Sequence, residues 1–208
     1  MSIAHFPLDV ELCSERLTLR TFRREDLDAE NQWPDFEDLI YHHYNPPRDD
    51  SHGKDHRYLQ SLRLFNIKLS IFDGEDLVGY VGLYETNFET GESWMGIQFS
   101  ANQRNRGYCK ESLECVCNTY FGEWGMKSIR LEVAAFNHPG IRCYTSVGWQ
   151  TTKQFWHPHS YQRHLDFEND ERLDSLRHHF RRIDSNVEVD YLEMELNVIR
   201  YNEIHSVL

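Results

Sequence analysis

Trp94-Met95-Gly96-Ile97-Gln98-Phe99, then Ser100-Ala101-Asn102, then Gln103-Arg104-Asn105-Arg106-Gly107-Tyr108-Cys109 is the stretch around which the chain is organised. The first six residues form a short, mostly apolar run that reads as a buried strand. Beyond the loop, Leu113, Val116, Cys117 and Tyr120 recur at three- and four-residue steps, which predicts a helix beginning near Gly107. A strand that turns through a Gly- and Arg-containing loop into a helix leaves backbone N–H groups free at the helix start. With the positive helix end, Arg104 and Arg106, these donors make a place for a phosphate-bearing ligand. Lys127 to Ala135 follows as a second strand. Then come Asn137, a short helical piece through Tyr144, and Gly148-Trp149.

Working outward, Arg16 to Phe22 alternates Leu17 and Leu19 with polar neighbours, the pattern of a half-buried strand. Arg24-Glu25-Asp26 opens a helix that Pro34 stops after about Trp33. Asn45 to Asp50 is a loop by composition, and His56 to Phe65 is expected to be helical, with Tyr58, Leu59, Leu62 and Phe65 on one side. Ile67–Phe72 and Leu77–Tyr84 flank Asp73-Gly74-Glu75-Asp76 and predict a hairpin. Antiparallel strands followed by alternating helix and strand point to a mixed α/β sheet. Farther on, Leu173, Leu176, Phe180 and Ile183 predict an amphipathic helix over Asp170 to Ile183. Val187 to Leu196 alternates as a closing strand.

With 208 residues the chain is long enough to bury a sizeable core, and one domain spanning 1–208 is expected, carrying an insertion at about 156–186. Lys and Arg number 22 against 34 Asp and Glu, a net charge of −12, which argues against bulk nucleic-acid binding and favours a cationic partner such as a protonated amine. Cys13, Cys109, Cys115, Cys117 and Cys143 show no paired spacing and read as reduced thiols of an intracellular protein. With neither a basic-then-apolar leader nor a membrane-length apolar run, the expected location is the cytoplasm, away from membranes. Histidine pairs such as His157-x-His159 and His52-x-x-x-His56 lack an obvious third ligand, so no metal is expected.

Arg104-x-x-Gly107-x-Cys109, a strand ending in Asn137, and Tyr144 followed by Ser146-Val147-Gly148-Trp149 resemble the GNAT acyltransferase superfamily. The opening Glu15-Arg16-Leu17-Thr18-Leu19-Arg20-Thr21-Phe22-Arg23-Arg24-Glu25-Asp26 is similar to that of its ribosomal-protein N-acetyltransferase subgroup; the resemblance runs from about Glu11 to Gln150. It implies a GNAT fold: a mixed, mostly antiparallel central sheet with splayed strands and flanking helices, here with a helical insertion before the last strand. It also implies transfer of an acyl group, most simply acetyl from acetyl-CoA, to a primary amine on a peptide, a protein N-terminus or a small polyamine-like molecule. The enzyme would act as a monomer or homodimer.

On this resemblance Ile97, Gln98 and Phe99 pair with the pantetheine arm. Arg104, Asn105, Arg106, Gly107, Tyr108 and Cys109 hold the pyrophosphate, and Asn137 contacts the donor arm. Tyr144 serves as general acid to the departing thiolate, on the expectation that a phenol near pKa 10 hands its proton readily to a thiol near 8.5. Tyr41, His42, His43 and Tyr44 fall where the fold covers the acceptor. Two positions depart from the pattern. Met95 stands where many subgroup members carry a glutamate, so base work falls to Glu92 or Glu85 first, then Glu132 or a histidine. Cys109 stands in place of a final Gly or Ala. A longer acyl donor, walled by Phe155, Trp156, Tyr161 and Phe167, and a non-catalytic acyl-CoA-binding module are the rival readings. The insertion reads as a lid over the acceptor or as an oligomer contact.

Overall fold

The computed structural model describes residues 6–158 and 166–205. Among these residues nine strands form one sheet: β1 (Glu11–Cys13), β2 (Leu17–Thr21), β3 (Ile67–Asp73), β4 (Asp76–Asn87), β5 (Glu92–Phe99), β6 (Ser128–Ala134), β7 (Gln150–Pro158), β8 (Phe180–Ile183) and β9 (Asn186–Asn197). Their order is β1-β2-β3-β4-β5-β6-β9-β7, with β8 on β9. Every pairing is antiparallel except β5 with β6. This is the GNAT fold read from the sequence, a mixed and mostly antiparallel sheet flanked by helices.

Among the described residues five α-helices accompany the sheet: α1 (Asp26–Glu30), α2 (Ser51–Leu64), α3 (Tyr108–Cys117), α4 (His138–Val147) and α5 (Val198–His205). On one face Leu17, Leu19, Leu69, Ile71, Val81 and Leu83 pack with Leu113, Val116, Val147 and Trp149 in the main core. On the other, Phe22, Leu27, Trp33, Leu77 and Tyr80 form a smaller cluster, with Tyr58 of α2 packed against it. Asp26, 3% exposed, is tied there by Arg20 and by the hydroxyl of Ser70, so its charge is compensated where water is absent.

The 170–183 segment corrects the sequence expectation. A 3₁₀ helix covers Glu171–His179, and Phe180–Ile183 instead forms β8, which turns at Asp184 (φ +53°) into β9. Apolar positions three apart suit a 3₁₀ turn as well as an α-helix. Phe180 settles the matter by stacking on Phe136 and Phe167, at ring-centroid distances of 5.4 and 5.5 Å. The segment packs against Ile40 and Tyr41 and so buttresses the short 3₁₀ helix Leu39–Tyr44. Boundaries also moved elsewhere. Helix α2 starts at Ser51, because the Asp50 side chain caps it by accepting from the Gly53 N–H at 2.8 Å, and α1 ends at Glu30. β1 and α5 carried no sequence expectation, while His157-Pro158, which by composition with His159, Ser160 and Tyr161 reads as a loop, ends strand β7 by pairing with Val189 and Glu188.

Candidate active site

The site follows from one break in the sheet. β5 pairs with β6 only at Glu92↔Ser128, Ser93↔Ile129 and Trp94↔Arg130. Beyond Trp94 the two strands part, while β5 keeps its register with β4 through Phe99 and β6 keeps its own with β9 through Ala134. A parted pair leaves backbone N–H and C=O groups facing the gap, free to pair with an extended ligand. The gap opens into a cavity of about 800 Å³, within the range of small-molecule sites.

One wall is the predicted loop. Asn105 (φ +62°) and Gly107 (φ +82°) both take left-handed backbone, which turns the chain sharply into α3. The first hydrogen bond of α3 runs from Glu111 N–H to Gly107 O. The amides before Glu111 are therefore left without partners inside the helix, at its positive end. Ile97, Gln98, Phe99, Arg104, Asn105, Arg106, Gly107, Tyr108, Cys109, Asn137 and Tyr144 all line the cavity, so residues far apart in sequence converge there. Three of them hold structure as well. Tyr108 is buried and its hydroxyl donates to Asp73. Arg104 lies 4.7 Å from the Tyr41 ring centroid. The neighbouring Cys143 thiol and burial together raise the Cys109 pKa far above the ordinary thiol value. These cysteines, like Cys13, Cys115 and Cys117, are free thiols.

Asn137 sits where β6 gives way to α4. Its side chain accepts from the Gly140 N–H at 3.1 Å, and the Tyr41 hydroxyl donates to the same oxygen at 3.5 Å. Asn137→Ala removes this cap and is expected to cost about 1 kcal/mol, read as a fall in Tm of about 2–4 °C. Helix α4 in turn carries Tyr144, only 9% exposed. Burial, with the nearby Cys109, Tyr44 and Cys143 adding to it, raises the Tyr144 pKa well above 10. The phenol is therefore protonated throughout the neutral range.

The acidic candidates separate. Glu85 (φ +48°) and Glu92 do not line the cavity, and Glu92 lies 3.7 Å from Arg130. Glu132 does line it. On β6, just past the split, its pKa is raised by burial and by the nearby Glu193 and Glu85, against the opposing pull of His157 and Lys153. Its position one strand beyond the break could be recognised only once the pairing was known. Tyr41 and Tyr44 line the cavity and His42 and His43 do not. Glu30, Arg57, Phe65, Lys68, Tyr80, Gly82 and Tyr84 also line it, over β3 and β4, and no sequence motif marked them.

The aromatic residues expected to wall a long acyl chain are placed elsewhere. Phe155 stacks on Tyr191 at 6.2 Å, Trp156 lies beneath Arg181 at 4.5 Å, and Phe167 is in the Phe136–Phe180 cluster. Tyr161, like His159, lies outside the described residues. Among the described residues no group of three or more His, Cys, Asp and Glu side chains is arranged to hold a metal. Nor is any described helix long and apolar enough to cross a membrane.

The model of the acetyltransferase (GNAT) domain matches residues 16–150 of this sequence, well over half of the chain. This chain belongs to the GNAT acetyltransferase family. As a GNAT protein it is an N-acyltransferase. A GNAT-family acetyltransferase from Bacillus anthracis has the same fold, with a TM-score of 0.64 at 15% identity over 90% of this chain and 98% of that one. So does the spermidine N-acetyltransferase from Vibrio cholerae in complex with CoA and spermine, with a TM-score of 0.64 at 16% identity over 89% of this chain and 98% of that one. No curated protein matches the sequence.

Proposed function

We propose that this GNAT enzyme transfers an acetyl group from acetyl-CoA to a primary amine, with Tyr144 as hydrogen-bond donor to the departing sulfur and Glu132 as base. The observation that carries the reading is the parting of β5 from β6 beside the free amides of α3, with Tyr144 and Glu132 in the same cavity. A phosphate-rich donor with an extended amide arm fits both features. Ile97–Phe99 offer backbone to the arm, and the Arg104–Cys109 loop offers amides and guanidinium groups to the phosphates. When bound, the donor supplies an activated acyl carbon on a thiol leaving group.

Glu132 acts first, taking a proton from the incoming ammonium so that a neutral amine is available for attack. A carboxylate with a raised pKa is the better base for this step. Tyr144 acts on the departing sulfur. Contrary to the sequence expectation, full transfer from a phenol near 10 to the thiolate of a thiol near 8.5 already runs uphill, and burial of Tyr144 makes it steeper. The phenol serves by donating a strong hydrogen bond as charge develops on sulfur, and the proton released by the amine completes the balance.

The spermine-bound neighbour supports a small amine as acceptor class, and the absence of Phe155, Trp156 and Phe167 from the cavity lining supports a short acyl group. The experiment is a melting-temperature panel with coenzyme A, acetyl-CoA and long-chain acyl-CoAs, followed by an amine screen for free thiol release. Acetyl-CoA at about a hundred times its Kd adds about 2.7 kcal/mol, a shift of roughly 5–10 °C. A larger shift with long chains would overturn the acetyl assignment. No shift with any of them would overturn the donor site.

A further inference from the structure

We propose that Lys68 binds an anionic group of the acceptor, so that the substrate is a primary amine bearing a carboxylate at its far end. The proposal rests on the acyltransferase reading and narrows its acceptor. Eight of the described residues lining the cavity are charged, and although the chain carries a net charge of −12, six of the eight are cations. Four of these, Arg104, Arg106, Lys110 and Arg142, lie on the loop, the start of α3 and α4, where the donor's phosphates are placed. Over β3 and β4 the lining charges are Arg57, Lys68 and Glu30, and of these Lys68 is the one that no ion pair engages.

Lys68 stands apart from the ion pairs around it. Glu30 is engaged by Arg57 at 2.8 Å, and Arg57 also pairs with Asp49. Among the described residues the Lys68 Nζ has no ion pair and no hydrogen bond. It lies 4.0 Å from the Phe22 ring centroid, 4.5 Å from Tyr80 and 5.6 Å from Phe65. Three aromatic rings stabilise an ammonium only in part, since they accept no conventional hydrogen bond. Burial draws the Lys68 pKa down to about 8, the sign of a cation held without adequate solvation. A bound carboxylate would supply the missing acceptor, whereas the second ammonium of a diamine would add repulsion.

The sheet sets the length of the acceptor. Lys68 pairs with Gly82, and Gly82 with Gly96 at the split, so Lys68 and the gap are two strand spacings apart, roughly 9–10 Å. A Cβ at Gly96 would meet nothing nearer than Tyr84 at 3.9 Å, whereas one at Gly82 would run into the Phe65 ring, so the floor is open beside the gap and covered by Phe65 on the way to Lys68. An amine in the gap therefore reaches Lys68 across the Phe65 ring, through a chain of about six atoms.

The test compares 6-aminohexanoate with 1,6-diaminohexane and hexylamine, which share a length and differ only in the far end. Binding is measured calorimetrically on the full chain, with and without coenzyme A. The expected result is at least tenfold tighter binding of 6-aminohexanoate than of the diamine. Lys68→Met should abolish that preference while leaving hexylamine binding unchanged, and Lys68→Arg should keep it. Equal or tighter binding of the diamine by the unaltered protein overturns the proposal. So does a Lys68→Met variant that weakens hexylamine as much as 6-aminohexanoate, since Lys68 would then only prop the fold. Binding of none of the three also overturns it, and a coenzyme A titration alongside shows separately whether the donor site stands.

Discussion

Tyr144→Phe is expected to lower kcat about 100-fold or more while leaving the Kd for coenzyme A within about twofold, the signature of a group that acts on the leaving sulfur and not on donor binding. The substitution removes one oxygen and keeps a ring that lies 6.2 Å from Trp149. Folding should therefore be little changed, and a melting curve run beside the kinetics separates the two effects. Stopped-flow or steady-state thiol release with a saturating amine gives the number. Unchanged turnover would take Tyr144 out of the chemistry and leave it as a core aromatic of α4.

Glu132→Gln is expected to cost about 100-fold in kcat/KM at neutral pH and to change the shape of the pH profile. A base works when deprotonated, so activity should fall as pH drops through the Glu132 pKa. Burial and the neighbouring Glu193 place that limb above the ordinary glutamate value of 4.5. In the variant the limb should vanish, leaving only the ionisation of the amine itself. Glu92→Gln is the matched control. Its carboxylate is outside the cavity lining and near Arg130, so the profile should keep its acid limb. A lost limb in Glu92→Gln, with an intact one in Glu132→Gln, would return the base to Glu92.

These two expectations depend on different kinds of information. The role proposed for Tyr144 could be drawn from the chain because it rests on a local pattern, Asn137 to Trp149, in which one helix carries the relevant side chains. The turn proposed to hold the phosphates is local in the same way, since Arg104-Asn105-Arg106-Gly107 needs only its own left-handed backbone and the helix after it. Glu132 was one of four carboxylate or histidine options, and only strand pairing separates them. Whether a residue on β6 faces the gap depends on where β5 leaves β6, a register set by contacts with β4 and β9.

The strand and helix alternation from Leu17 to Trp149 was determined by the sequence alone, because side-chain periodicity and turn residues act over a few positions. The sequence also determined the acidity of the whole molecule, but not where its charges lie. The basic lining of the cavity in a chain of net charge −12 is a tertiary fact, since Arg57 on α2, Lys68 on β3 and Arg142 on α4 meet only when the sheet and helices pack. The same is true of Phe180. Its place three positions along an apolar stripe suited a helix, yet stacking against Phe136 and pairing across to Val189 made it a strand. Local propensity is a matter of tenths of a kcal/mol per residue, and a buried ring and a ladder of hydrogen bonds outweigh it.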